Sequence, residues 1–141
     1  MHHVPVMCRA RVAAPDRRIA VEEELSVTVR RERGVDIAAI TGAIDLSTVA
    51  ALRERLFELA DGGQPLIVDL NQVTFIDSTG LGVLVGVSRR AVVHGTSVHA
   101  VCSQPQTRKL LWLTGVDRRI PLSATVEGAL MLMTASGGDP S

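Results

Sequence analysis

The first regular pattern along the chain is an alternation: Leu25, Val27 and Val29 are apolar, with polar residues between them. Period-two spacing of this kind predicts a strand with one buried face. Gly34 supplies a turn and Val35 to Thr41 reads as a second strand, so the two form a hairpin before Gly42 and Asp45 break the run. From Ser47 the spacing lengthens to a helical period, with Val49, Leu52, Leu56 and Leu59 on one face and Arg53, Glu54 and Glu58 away from it. Asp45, Ser47 or Thr48 is placed to cap this helix, and Gly62-Gly63 stops it.

Leu66-Ile-Val-Asp-Leu70 is a nearly continuous apolar run. A strand covered on both faces looks like this, which predicts a central parallel position. Residues 71–77 read as a connector, and Ser78 opens a second helix whose Leu81, Leu84, Val85, Ser88 and Val92 recur at helical spacing until Gly95. A strand follows at Ser97 to Cys102, then a short helix from Pro105 to Thr114, an edge strand at Ile120-Pro-Leu122 and a last amphipathic helix from Thr125 to Met133. A hairpin followed by alternating strands and helices predicts an α/β fold: a mixed, mostly parallel sheet with about four helices packed over it. One domain over residues 25–133 is expected. Residues 1–24, which lack sustained periodicity, read as a flexible arm, and residues 134–141 as a disordered tail.

Composition narrows the function. The 141 residues carry 15 Lys plus Arg and 15 Asp plus Glu, so the formal net charge is zero, without the basic excess of a general nucleic-acid binder. Phe57, Phe75 and Trp112 are the whole aromatic complement, too few for a base-stacking platform. Mean hydropathy is positive, at +0.24, yet no segment approaches the ~18 apolar residues of a spanning helix. The first 18 residues lack the apolar core of a signal peptide. Cys8 and Cys102 have no paired-motif spacing and read as a tail thiol and a buried strand thiol, in keeping with a cytoplasmic protein. The zero total also conceals a pattern: residues 34–86 sum to −5, against +2 before them and +3 after.

The candidate chemistry lies in Phe75-Ile-Asp-Ser-Thr-Gly-Leu-Gly-Val83. Asp and Ser are ordinary helix caps. Capping alone does not call for two adjacent hydroxyls after a carboxylate, nor for Gly80, Gly82 and Gly86 inside a helix, where each costs about 1 kcal/mol relative to Ala. Small residues leave part of the helix face bare for another backbone to approach. A helix N-terminus also favours an added phosphate, which would bring about −1.5 to −2 charge beside Asp77. Enzymatic readings fit less well. The residue two before Ser78 is Ile76, not the Gly of a nucleophile elbow. The glycines match neither a P-loop nor a dinucleotide fingerprint. His2, His3, His94 and His99 have no metal-ligand spacing, and His94 reads as a helix C-terminal residue.

The motif, together with Ile40-Thr-Gly-Ala-Ile-Asp45, Leu66-Ile-Val-Asp-Leu70, Gly95-Thr-Ser-Val98 and Leu110-Leu-Trp-Leu-Thr-Gly115, resembles the bacterial anti-sigma factor antagonists, which are stand-alone STAS domains. The resemblance runs from about Leu25 to Met131. It implies a partner switch and no enzyme: the unphosphorylated protein binds an anti-sigma factor, a serine kinase of the GHKL type, and frees a sigma factor. The kinase then phosphorylates the antagonist and a phosphatase reverses the mark. By match to the motif, Ser78 is the expected phosphoacceptor with Thr79 in reserve. Asp45, Asp77, Ser78, Thr79, Gly80, Leu81 and Gly82 are the expected partner-binding residues. No cofactor, metal, membrane or direct nucleic-acid contact is expected, and the state is monomer or weak dimer. The alternative is a STAS module that senses a nucleotide or other small ligand in a cleft near Asp45 and Ser78, without a phospho-switch.

Overall fold

The computed structural model of the chain describes residues 3–4 and 25–137. In chain order the elements are β1 (His3–Val4), β2 (Ser26–Glu32), β3 (Val35–Ile44), α1 (Val49–Asp61), β4 (Leu66–Ile76), α2 (Ser78–Val93), β5 (Val98–Val101), α3 (Pro105–Leu113), a 3-10 turn (Val116–Arg118), β6 (Leu122–Ser123) and α4 (Val126–Gly137). The six strands form one sheet in the order β1-β2-β3-β4-β5-β6. β1 to β3 are antiparallel neighbours, and β3 to β6 run parallel. The predicted hairpin and parallel core are both present.

β4 is buried on both faces, as its continuous apolar run requires. Leu66, Val68 and Leu70 enter the main core beneath α1, α2 and α3, while Ile67 joins Val35, Ile37, Val101 and Leu130 beneath α4 on the other face. α1 and α2 are further tied together at their outer edge. Arg90 grips both carboxylate oxygens of Asp61 at 2.8 and 2.9 Å, and His94 Nε2 lies 3.2 Å from the same group. The Phe57 ring stands between the Arg53 and Arg90 guanidinium groups, 4.6 and 4.7 Å from its centroid. The Arg90 hydrogen bond, chiefly, holds the Asp61 carboxyl below its ordinary range. His94 ends α2, as expected.

Several boundaries differ from the sequence pattern, among them that of β6, expected at Ile120–Leu122 and found at Leu122–Ser123. β3 runs on through Gly42 to Ile44, and residues 71–76, read as a connector, continue β4. Register shifts at Ala39/Thr41 and Gly42/Ala43, with Gly42 at a φ of 114°, absorb the residues that break the alternation. α4 extends past Met133 to Gly137, into the segment read as tail. His3 and Val4 pair with Arg30 and Val29, a strand that the sequence pattern did not mark. The rest of the expected arm, including Cys8, and residues 138–141 lie outside the described residues. Cys102 is buried, as expected for a strand thiol.

The buried face of α2 also differs from the expected one. Gly80, Leu81, Val83, Leu84, Val87 and Ala91 are buried, whereas Val92 is 69% exposed. The segment is apolar almost all round, so spacing alone does not set its rotation. Gly80 does. A Cβ there would lie 2.6 Å from Ile44 Cγ2 and 2.8 Å from Ile76 Cγ1, so only glycine lets the helix start settle onto the ends of β3 and β4.

Candidate functional site

β3 and β4 are parallel neighbours and end together, with Ala43 beside Phe75 and Ile44 beside Ile76. The loops that leave them therefore meet on one rim of the sheet. A backbone bond joins them: the Asp77 N–H donates to the Ile44 carbonyl at 3.1 Å. This bond and the glycine contact at Gly80 fix where α2 begins.

Asp77 is the N-cap of α2. Its backbone is extended, and its Oδ1 accepts from the amides of Thr79 at 3.0 Å and Gly80 at 3.2 Å. These satisfy amides that the first helical turn leaves unpaired. The Thr79 hydroxyl donates to the same oxygen. That hydrogen bond first, then the Gly80 and Thr79 amides, hold the Asp77 carboxyl below its ordinary range. A depressed carboxylate contributes stability above its unfolded pKa, and the contribution is lost only as pH falls through the lower folded value. The cap is thus intact throughout the neutral range. Removing its principal support gives a direct test: in Thr79→Ala, the Asp77 midpoint followed by carboxyl NMR should move up towards the usual carboxylate value. An unmoved midpoint would show that the hydroxyl does not set it.

Ser78, the first residue of α2, is exposed, and its hydroxyl has no hydrogen-bond partner among the described residues. It neither caps the helix nor faces a base that would activate it as a nucleophile. Thr79 is half-buried and its hydroxyl is engaged. The two adjacent hydroxyls therefore have different environments, one free and one committed to the cap.

Across the rim, Asp45 Oδ1 accepts from the Ser47 amide at 3.0 Å and the Ser47 hydroxyl at 2.7 Å. Of the three candidate caps for α1, Thr48 holds the N-cap position without capping through its side chain. Its hydroxyl instead donates to the Ala43 carbonyl at 2.9 Å and accepts from the Asp45 amide at 3.0 Å, bracing the turn. Asp45 and Ser78 come from adjoining loops, without a direct hydrogen bond between them. Gly82 is exposed, and nothing lies within 4 Å of where its Cβ would stand. Leu81 is 8% exposed and packs in the main core, so among the seven expected contact residues its side chain faces inward.

Two residues of the rim were not marked as site residues by the sequence. Leu46 is 75% exposed and Phe75 54% exposed, each two positions from the residues that join the loops. A large apolar side chain in an apolar-rich strand reads as core, so only the strand's extended course to the rim reveals Phe75. Three clefts are lined by other residues: one by Asn71–Thr74 with Gln104–Thr107, and two that include Trp112. None of the three includes Asp45 or Ser78, the place expected for a sensed ligand. Among the described residues no three metal-ligating side chains converge, and no helix is long and apolar enough to cross a membrane.

This geometry agrees with what the chain is similar to. A family model for the STAS domain matches residues 26–129. The anti-sigma-F factor antagonist RsfB of Mycobacterium tuberculosis is 34% identical over 113 residues, covering 79% of this chain and 92% of that protein. The anti-sigma-B factor antagonist of Bacillus subtilis is 33% identical over 106 residues, covering 75% of this chain and 97% of its own length. The crystal structure of an anti-sigma factor antagonist from Mycobacterium paratuberculosis superposes with a TM-score of 0.72 at 29% identity, over 86% of this chain and 98% of that one. The chain belongs to the STAS-domain family of anti-sigma factor antagonists.

Proposed function

We propose that this protein binds an anti-sigma factor through the rim at the start of α2, and that a phosphate on Ser78 ends the complex. In its unphosphorylated form it captures the anti-sigma factor, a serine kinase with a GHKL-type ATP fold, and so releases a sigma factor. The kinase phosphorylates Ser78 and frees itself, and a phosphatase resets the protein. Its effect on transcription is indirect.

The observation that carries this reading is the Ser78 hydroxyl: exposed, free of hydrogen bonds among the described residues, and set on a rigid helix start. A kinase can take such a hydroxyl without breaking a native bond, whereas Thr79 must first leave Asp77. Exposed Leu46 and Phe75 supply apolar contact around it, and open Gly82 allows close backbone approach. The phosphate would add about −1.5 to −2 charge beside the Asp77 carboxylate, changing a surface that is already acidic.

Incubation with a cognate kinase and ATP, followed by mass spectrometry, checks the assignment. One phosphate is expected on Ser78, with none on Ser78→Ala. Phosphate found only elsewhere, or none with any cellular kinase of this type, would overturn the switch while leaving the fold family intact.

A further inference from the structure

A second surface lies along α3. Trp112, in the last turn of that helix, is 64% exposed, and the following Leu113 is 62% exposed. Two open clefts share the indole as lining: one of about 530 Å³ lined by Trp112, Leu113, Asp117 and Arg118, and one of about 600 Å³ that includes Arg108 and Lys109. Arg108 is fixed as a wall of the second cleft, since its Nη1 donates to the Cys102 carbonyl at 2.7 Å. Lys109, Arg118 and Arg119 form no ion pair among the described residues, in contrast to Arg30, Arg31, Arg33, Arg55 and Arg90. An exposed tryptophan that lines two clefts together with Lys109 and Arg118 has the composition of an interface anchor.

Charge decides the occupant. Three cations, Arg108, Lys109 and Arg118, line the clefts against the single carboxylate of Asp117, which calls for an acidic partner. Open clefts beside the ring can take apolar side chains of a partner. One ring is also too few for stacking along a single strand. We infer that the Trp112 face is a second docking surface, which takes an acidic peptide segment of another protein, its apolar side chains entering the clefts and its carboxylates meeting Lys109 and Arg118.

Trp112 is the only tryptophan in the chain, so its fluorescence reports this surface alone. The test selects binders to the full chain from a random-peptide library. The expected peptides carry Asp or Glu around apolar residues and shift the Trp112 emission to the blue. They bind less tightly as salt rises and are lost on Trp112→Ala. Lys109→Glu with Arg118→Glu should weaken them roughly tenfold or more, and circular dichroism checks that these exposed substitutions leave the fold unchanged. Ser78→Asp should bind the same peptides unaltered, which separates this surface from the rim. Neutral or basic binders, no binders, or indifference to Lys109 and Arg118 would overturn the inference. So would an emission shift with phosphatidylglycerol vesicles or oligothymidylate but not with acidic peptides.

Discussion

Ser78→Asp should weaken capture of the anti-sigma factor by roughly a hundredfold, about 3 kcal/mol, while Ser78→Ala binds like the parent. The parent side chain forms no hydrogen bond among the described residues, so its removal leaves the fold and the rim unchanged. A carboxylate in its place stands next to Asp77, whose charge is secured by the Thr79 hydroxyl and two backbone amides. The Thr79 and Gly80 amides are already taken by Asp77, so the new charge adds to that of Asp77 on the surface that the partner meets. Isothermal titration of both variants against the purified anti-sigma factor checks the contrast. Equal affinity for the two would show that added charge at this position does not control binding.

Gly80→Ala should destabilise the protein by about 1 kcal/mol, against the usual helix preference for Ala. The added methyl would meet Ile44 Cγ2 at 2.6 Å and Ile76 Cγ1 at 2.8 Å. Both isoleucines are buried and branched at Cβ, so neither has a free rotamer to retreat into. Overpacking of this kind costs about 1–3 kcal/mol, more than the ~1 kcal/mol that Ala otherwise contributes in a helix. Gly82, two residues on, has open space, and Gly82→Ala should stabilise by up to ~1 kcal/mol while impairing close approach of a partner. Urea unfolding of the two variants should therefore shift in opposite directions. A shift of both to higher stability would mean that Gly80 does not seat the helix.

The two glycines show where sequence reading reaches its limit. Hydrophobic spacing located the helices, the hairpin and the doubly covered strand, because burial of one or both faces leaves a period that is visible without coordinates. It did not set the rotation of α2, where nearly every position is apolar and the deciding contact lies across the fold at Ile44 and Ile76. It stopped β4 at Leu70, because a bulged strand with Asn71, Gln72 and Thr74 lacks clean alternation. The central triplet of the site was legible, since Asp77, Ser78 and Thr79 are adjacent in the chain. The different conditions of the two hydroxyls were not, because they depend on which of them turns towards Asp77. Leu46, Phe75 and Trp112 escaped for a related reason: an exposed apolar side chain and a buried one are the same letter.

Among the described residues, both margins of the sheet end in strands of only two residues, β1 and β6. A strand that short offers another chain few free backbone groups to pair with. Next to the stretch that β1 covers, β2 ends in Arg31 and Glu32, charges that oppose the stacking of strand on strand. The fold thus resists growing into larger sheets by addition of further copies. Contacts made by side chains at a rim can be released, whereas an added strand is held by a ladder of backbone bonds. Release of the partner, as proposed for the form phosphorylated on Ser78, is well served by margins this blunt.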